Sequence, residues 1–400
     1  MKAANFQRIF FLEAGRKRKS RSKNAQNCLA ATSLGHRSVP KAWENFSPAI
    51  ITARKAKART VNLTRRTWEV IEGSQGHNVS NELEIGFPEM RYDITMPFFE
   101  GRVKIDGVLL KPAKNSSMVF ADNPQLREGD FGFCDLNLGY FLPAIDAGWQ
   151  IIGLPVFSKR KPVYPYIFCR ADRGIDEPKD LEGKSIGTRQ YRTAISVWVR
   201  GLLKHRHSVA ISKMRWVAQI KEVFPNYDRD TQIDYVDGQK SAADRLLDGE
   251  VDAMVTDISD AKLMEVLENS PKVKRLFPDY MKEDAALYRD TGIFTPVHII
   301  VMSKKLDREH PEIAGKFYTA FEQAKKMAYE DILSERAGFS VVYLRERVKE
   351  QFVKWGDPWK YGIQANKTTI DALVRDNHEQ GMIRSQLPYN EIFAASTLET

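Results

Sequence analysis

The sequence predicts an α/β fold in two lobes, with added C-terminal helices and a disordered basic tail at the N-terminus. Three observations carry this. From Glu82 onward, short apolar runs of strand length alternate with stretches of helical period. The chain of 400 residues is too long for one ordinary core and suggests about two. No stretch approaches the roughly 18 apolar residues of a spanning helix, so the apolar runs must pack against one another.

The elements follow in order. Leu83 to Phe87 reads as a strand stopped by Pro88, and Phe131 to Cys134 as another after the turn Glu128-Gly129-Asp130. Residues 137–147 read as a helix ended by Gly148. Trp149 to Leu154, Tyr166 to Cys169 and Lys184 to Thr188 read as strands. Residues 193–206 form a helix with Ile195, Trp198, Leu202 and Leu203 along one side. Ser241 to Leu247 is a short helix, Val251 to Thr256 a buried strand, and Pro296 to Ser303 a β-branched strand. A long helix spans about 312–332, its stripe being Ala314, Phe317, Phe321, Ala324 and Ala328. Helices follow over Val341 to Trp355 and Thr368 to Gln380, the last stopped by Gly381. Strands alternating with helices imply parallel-rich sheets covered on both faces, with ligand loops at the strands' carboxyl ends and a cleft between the lobes.

The net charge of +9 is unevenly placed. Residues 1–80 carry 16 Lys or Arg against 4 Glu, a net +12. The other 320 residues carry 45 basic and 48 acidic residues, a net −3. A nucleic-acid partner therefore has little support from charge, and no membrane segment is expected. The first 81 residues show no lasting period, and three readings stay open. They are a basic tail touching anionic polymers, an organelle transit peptide, or translated sequence upstream of a natural start at Val79. The last is preferred, because no Met lies between Met1 and Met90. Cys28, Cys134 and Cys169 are too sparse for a disulfide framework and read as reduced, buried thiols.

No Gly-rich phosphate loop, Gly-x-Ser-x-Gly elbow or His-Glu-x-x-His pair occurs, so nucleotide, cofactor and metal sites are not expected. Chemistry-bearing residues do gather at strand ends. Tyr92, Asp93 and Thr95 follow the first strand. Asp135-Leu136-Asn137 follows the Phe131 strand, and Asp257 follows Thr256. Arg189, Tyr191 and Arg192 lie between a strand and a helix N-terminus, where free amides and guanidinium groups suit a carboxylate. His298 stands in the apolar run Val297 to Met302. Each also has an ordinary reading: Asp93 as a turn cap, the arginines as solvated charges, His298 as a satisfied core residue.

With these residues set out, residues 82–400 resemble the 4,5-dihydroxyphthalate decarboxylase family, relatives of the type II periplasmic-binding-protein-like proteins. The resemblance rests on Tyr92-Asp93-x-Thr95, Gln190-Tyr191 with Val197-Trp198-Val199-Arg200-Gly201, and Leu276-Phe277-Pro278-Asp279-Tyr280. It also rests on Thr291-Gly292-Ile293-Phe294 with His298, Asp357-Pro358-Trp359 with Tyr361-Gly362, Ala365-Asn366-Lys367, and His378-Glu379-Gln380-Gly381. It implies one lobe from 82–160 with 295–400, a second from 161–294, and a small anionic aromatic ligand between them. Ile94, Asp135-Leu136-Asn137 and Gln190 depart from the family's usual residues, so the resemblance reaches the fold and reaction class further than the substrate.

Two functions follow from the resemblance. The first is a decarboxylase of a hydroxylated aromatic acid. In it His298 or Asp93 delivers the proton, Arg192 or Arg189 clamps a carboxylate, and Tyr92, Thr95, Asn137, Tyr191 and Asp257 hold the substrate. The second is the solute-binding protein of an importer. No export signal is recognisable, which favours a cytoplasmic enzyme, or a periplasmic receptor if the start is misassigned. A homo-oligomer is left open.

Overall fold

In the computed structural model, residues 82–88, 90–113, 123–228, 230–256, 261–336 and 338–400 are described. The basic segment, Cys28 and Asp257 lie outside them. All described residues fall in one contact unit.

Five strands precede the crossing into the second sheet: β1 (Leu83–Phe87), β2 (Val108–Pro112), β3 (Phe133–Asn137), β4 (Ile151–Gly153) and β5 (Lys159–Arg160). Then come β6 (Ile167–Arg170), β7 (Ser185–Thr188), β8 (Arg215–Ala218), β9 (Gln232–Tyr235), β10 (Ala253–Val255) and β11 (Val273–Arg275). The chain returns through β12 (Pro296–Ser303). The helices used below are α1 (Leu138–Asp146), α2 (Ala194–His205), α3 (Ala242–Asp248), α4 (Ala261–Asn269), α5 (Tyr280–Thr291), α6 (Ile313–Leu333), α7 (Leu344–Trp355) and α8 (Lys367–Glu379).

The two sheets share one plan. The first has the order β3-β12-β4, with β5 also pairing β12, and β12 is antiparallel to all three. Beside it, β1 pairs β2 in parallel as a separate two-stranded sheet that lies against the start of β3, where a Cβ on Gly132 would meet the Gly86 carbonyl oxygen at 2.5 Å. In the second, the order is β11-β6-β10-β7-β8-β9, and β6, the strand entering from the first sheet, is antiparallel to both neighbours. The strand that crosses into each sheet, β12 in the first and β6 in the second, thus sits between strands running the other way. That is the arrangement expected of two lobes joined by crossing strands, and the fold is α/β as the alternation of elements predicts.

Alternation along β12 gives the first sheet two covered faces. Val297, Ile299 and Val301 pack with Cys134, Leu136, Ile195 and Trp198. Ile300 and Met302 pack with Phe133, Phe317 and Phe321 of α6, whose apolar stripe is buried as its 3–4 spacing predicts. Trp198 donates from Nε1 to the Pro296 carbonyl at 2.7 Å, fixing α2 to the start of β12. The second sheet has α2 on one face. On the other, Phe168, Val217 and Met254 pack beneath α3 and α4. Helix α8 lies on α2 so closely that a Cβ on Gly201 would stand 1.9 Å from an Asp376 carboxylate oxygen. The C-terminal segment thus covers part of the second sheet as well. Cys134 and Cys169 are buried and unpaired. Among the described residues, no helix is long and apolar enough to cross a membrane.

Candidate functional site

Strand β3 extends three residues beyond its apolar start, so Asp135 and Asn137 lie within it rather than after it. Cross-strand partners share a face. Phe133 pairs with Met302, Asp135 with Ile300, and Asn137 with His298. The face that is apolar under α6 therefore turns polar toward the start of β12. On the opposite edge of β12, His298 pairs with Lys159 of β5, next to a register shift between Pro296 and His298. Lys159, His298 and Asn137 form a row across three strands, and β-bulges commonly re-aim side chains at such places.

Asp135 is the hub. Its Oδ2 lies 2.9 Å from His298 Nδ1 and accepts from the Tyr92 hydroxyl at 3.0 Å, while Oδ1 accepts from the Ser158 hydroxyl. Asp135, Ser158 and His298 are buried, and Tyr92 is half-buried. Burial raises the Asp135 carboxyl. The His298 charge and hydrogen bond, with those of Ser158 and Tyr92, more than reverse this and hold it below its ordinary value. Burial, then the charge and hydrogen bond of Asp135, push the Tyr92 phenol up, so Tyr92 remains a donor rather than a base. The Lys159 ammonium stands 5.9 Å from the centre of the Tyr92 ring. It makes no hydrogen bond or ion pair with a described residue.

Asn137 joins the sheets. Its Oδ1 accepts from the Gly139 amide, capping α1, and from the Ala194 amide of α2, both at 3.0 Å. A second polar region lies at the carboxyl ends of β7 and β10. Thr188, Arg189, Thr193, Gln219, Ser241 and Thr256 help line a pocket of about 400 Å³ there. His298, Tyr92 and Lys159 do not line it.

Tyr92 and His298, both expected site residues, are therefore brought together by Asp135, and Arg189 lines the neighbouring pocket. Asp93, Thr95, Tyr191 and Arg192 are placed differently from that expectation. Asp93 is exposed, and its carboxylate accepts the following Ile94 amide at 2.9 Å, because it opens a 3-10 turn. Thr95 is fully buried and closes that turn, donating to the Met90 carbonyl at 2.7 Å. Tyr191 is 1% exposed, edge-on to Trp216, with the Arg200 guanidinium 3.7 Å from its ring centre. Arg192 is fully buried. It donates to the Met382, Phe224 and Pro225 carbonyls and stands 3.5 Å from Glu222. Neither is placed to clamp a ligand. The loop of Tyr191 and Arg192 is closed over by α1, whose Gly139 would bring a Cβ to 1.6 Å from the Arg192 carbonyl oxygen. Asp257 lies outside the described residues. Ser158 and Lys159 escape sequence reasoning, since a two-residue strand leaves no periodicity to read. Among the described residues, no group of three His, Cys, Asp or Glu is placed to hold a metal ion.

No family model matches the chain. The chain is 27% identical over 336 residues to a 4,5-dihydroxyphthalate decarboxylase from Comamonas testosteroni, covering 80% of this chain and 99% of that protein. It is 27% identical over 224 residues to one from Pseudomonas putida, covering 53% and 83%. A periplasmic sulfonate-binding protein from Methylobacillus flagellatus superposes with a TM-score of 0.47 at 13% identity, over 79% of this chain and 92% of that one. A desulfurization enzyme does so with a TM-score of 0.42 at 13% identity, over 80% and 98%. The chain thus resembles 4,5-dihydroxyphthalate decarboxylases along the whole length of one of them, as the motifs from Tyr92 to Gly381 led us to expect.

Proposed function

We propose that the chain is a decarboxylase of a hydroxylated aromatic acid and that His298 delivers the proton. The observation that carries this is the hydrogen bond from His298 to a buried carboxylate already held by two hydroxyls. A carboxylate kept ionised in this way accepts from Nδ1–H and orients the ring, so that Nε2 faces the substrate as the proton donor. The decarboxylase names of the sequence relatives support the same reaction class.

The step balances simply. The Nε2 proton bonds to the ring carbon that bears the carboxylate. The carbon–carbon bond to that carboxylate then breaks, its electron pair returns to the ring, and CO₂ leaves. Water reprotonates the imidazole. A phenol para or ortho to the carboxylate assists by feeding electron density to the carbon being protonated. The ligand is a small anionic aromatic.

The test incubates the full chain with hydroxylated phthalates and benzoates and follows CO₂. Wild type is expected to release CO₂, and His298→Ala to lower kcat by about 10²-fold or more while changing KM far less. Tight binding of these acids without CO₂ release would overturn the enzyme reading and leave a solute-binding protein.

A further inference from the structure

Strand β5 offers two cations to opposite sides of the first sheet. Arg160 is buried, donating to the Phe294 and Lys360 carbonyls and to Asn366 Oδ1, so its charge is committed to the fold. Lys159 is half-buried, cross-strand from His298 and beside the Tyr92 ring, and forms no ion pair among the described residues. Asp135 does not neutralise it, because both its oxygens already serve Tyr92, Ser158 and His298. Another shielded lysine, Lys325, shows the usual outcome, paired with Glu322 at 3.1 Å and Asp357 at 3.2 Å. A sheltered ammonium without a carboxylate, next to a histidine that has one, is a place for an anion carried by the ligand.

We propose that Lys159 is the specificity-determining clamp for a second acid group on the substrate, the one that stays on the ring. This deepens the decarboxylase reading and rests on it. Cross-strand neighbours stand about 5 Å apart at Cβ, so positions 159 and 298 can serve two substituents of one ring. The chemistry then decides which substituent each serves. Decarboxylation converts an anionic carboxylate into neutral CO₂. An ammonium bound to the departing group stabilises the ground state more than the transition state and slows the reaction. Bound to a group whose charge persists, it adds affinity without that penalty. Lys159 therefore selects aromatic dianions over monoanions, and His298 acts on the neighbouring carbon.

The experiment compares wild type, Lys159→Met and Lys159→Arg in the full chain. CO₂ release is followed from 4,5-dihydroxyphthalate and 2,4-dihydroxybenzoate, and binding of unreactive phthalate is measured by calorimetry. Lys159→Met is expected to raise KM for the diacid by about 30-fold or more, as loss of a charge-assisted contact would. Its kcat should stay within about threefold, the monoacid should be unaffected, and Lys159→Arg should recover part of the loss. A fall in kcat at unchanged KM, or equal losses for both acids, overturns the clamp. The binding arm separates the two proposals. If wild type releases no CO₂ but binds phthalate and Lys159→Met does not, the clamp stands and the decarboxylase reading fails. If both bind phthalate equally, the clamp fails whatever the turnover. A wild type that neither binds nor turns over these acids overturns both.

Discussion

His298 reaches past its own cross-strand partner, Asn137, to Asp135 two residues along β3, with Nδ1 2.9 Å from Oδ2. The diagonal matters because Asn137 is occupied elsewhere, its oxygen accepting one amide from each side of the sheet interface. One polar strand end thus does two jobs. Asn137 fixes α2 against the first sheet, and Asp135 fixes the imidazole. An aspartate buried at this depth without donors would be neutral; with three it keeps its charge and sets the orientation of the ring.

Asp135→Asn should therefore lower kcat by about 10²–10⁴-fold with a much smaller change in KM, since an amide no longer holds the ring through Nδ1–H as an ionised carboxylate does. Turnover and urea midpoint are measured on the same preparation. A change in kcat below about threefold in a folded variant would remove Asp135 from the mechanism.

How far the site can be read from sequence depends on the length scale of the signal. Strand β12 is legible to its last residue because a β-branched run is bounded by Pro296 and Ser303. His298 is visible as a polar interruption of that run. Helix α7 begins three residues later than its apolar pattern suggests, since Val341 and Val342 precede Tyr343, whose φ of 61° breaks the helix before Leu344. Lys159 is invisible because β5 has two residues and its neighbours Arg160 and Lys161 make it look like part of a basic loop. Arg192 misleads in the opposite sense. A strand-to-helix loop reads as a ligand loop, but the approach of α1 at Gly139 depends on packing between segments about fifty residues apart, which no local pattern records.

Arg192→Met should act on stability rather than on ligand binding. The guanidinium is the cationic partner of Glu222, whose side chain is 4% exposed, and it serves three carbonyls. Removing it strands a buried carboxylate, which typically costs about 3–5 kcal/mol. The expected result is a large fall in the urea midpoint, partly restored by adding Glu222→Gln, with ligand affinity of the folded fraction unchanged. Weakened binding at full stability would return Arg192 to the ligand site.

Asp284 should make stability depend on pH. It sits in the first turns of α5, is buried, and accepts backbone amides of Val163 and Tyr164. Burial pushes its carboxyl up to about 7, the two amides opposing only in part. The ordinary value is 3.8, so between about 4 and 7 the folded chain holds a proton that the unfolded chain releases. The stabilising contribution is then complete below about 4 and is lost as the pH rises through 7. A tenfold difference in proton affinity between the folded and unfolded chains is worth about 1.4 kcal/mol, so the loss is on the order of a few kcal/mol. Asp284→Asn keeps an acceptor for the amides and cannot ionise. Its urea midpoint should vary less between pH 5 and pH 8 than that of wild type, and should exceed wild type at pH 8. Parallel pH profiles for the two proteins would show instead that Asp284 ionises as easily in the folded chain as in the unfolded one.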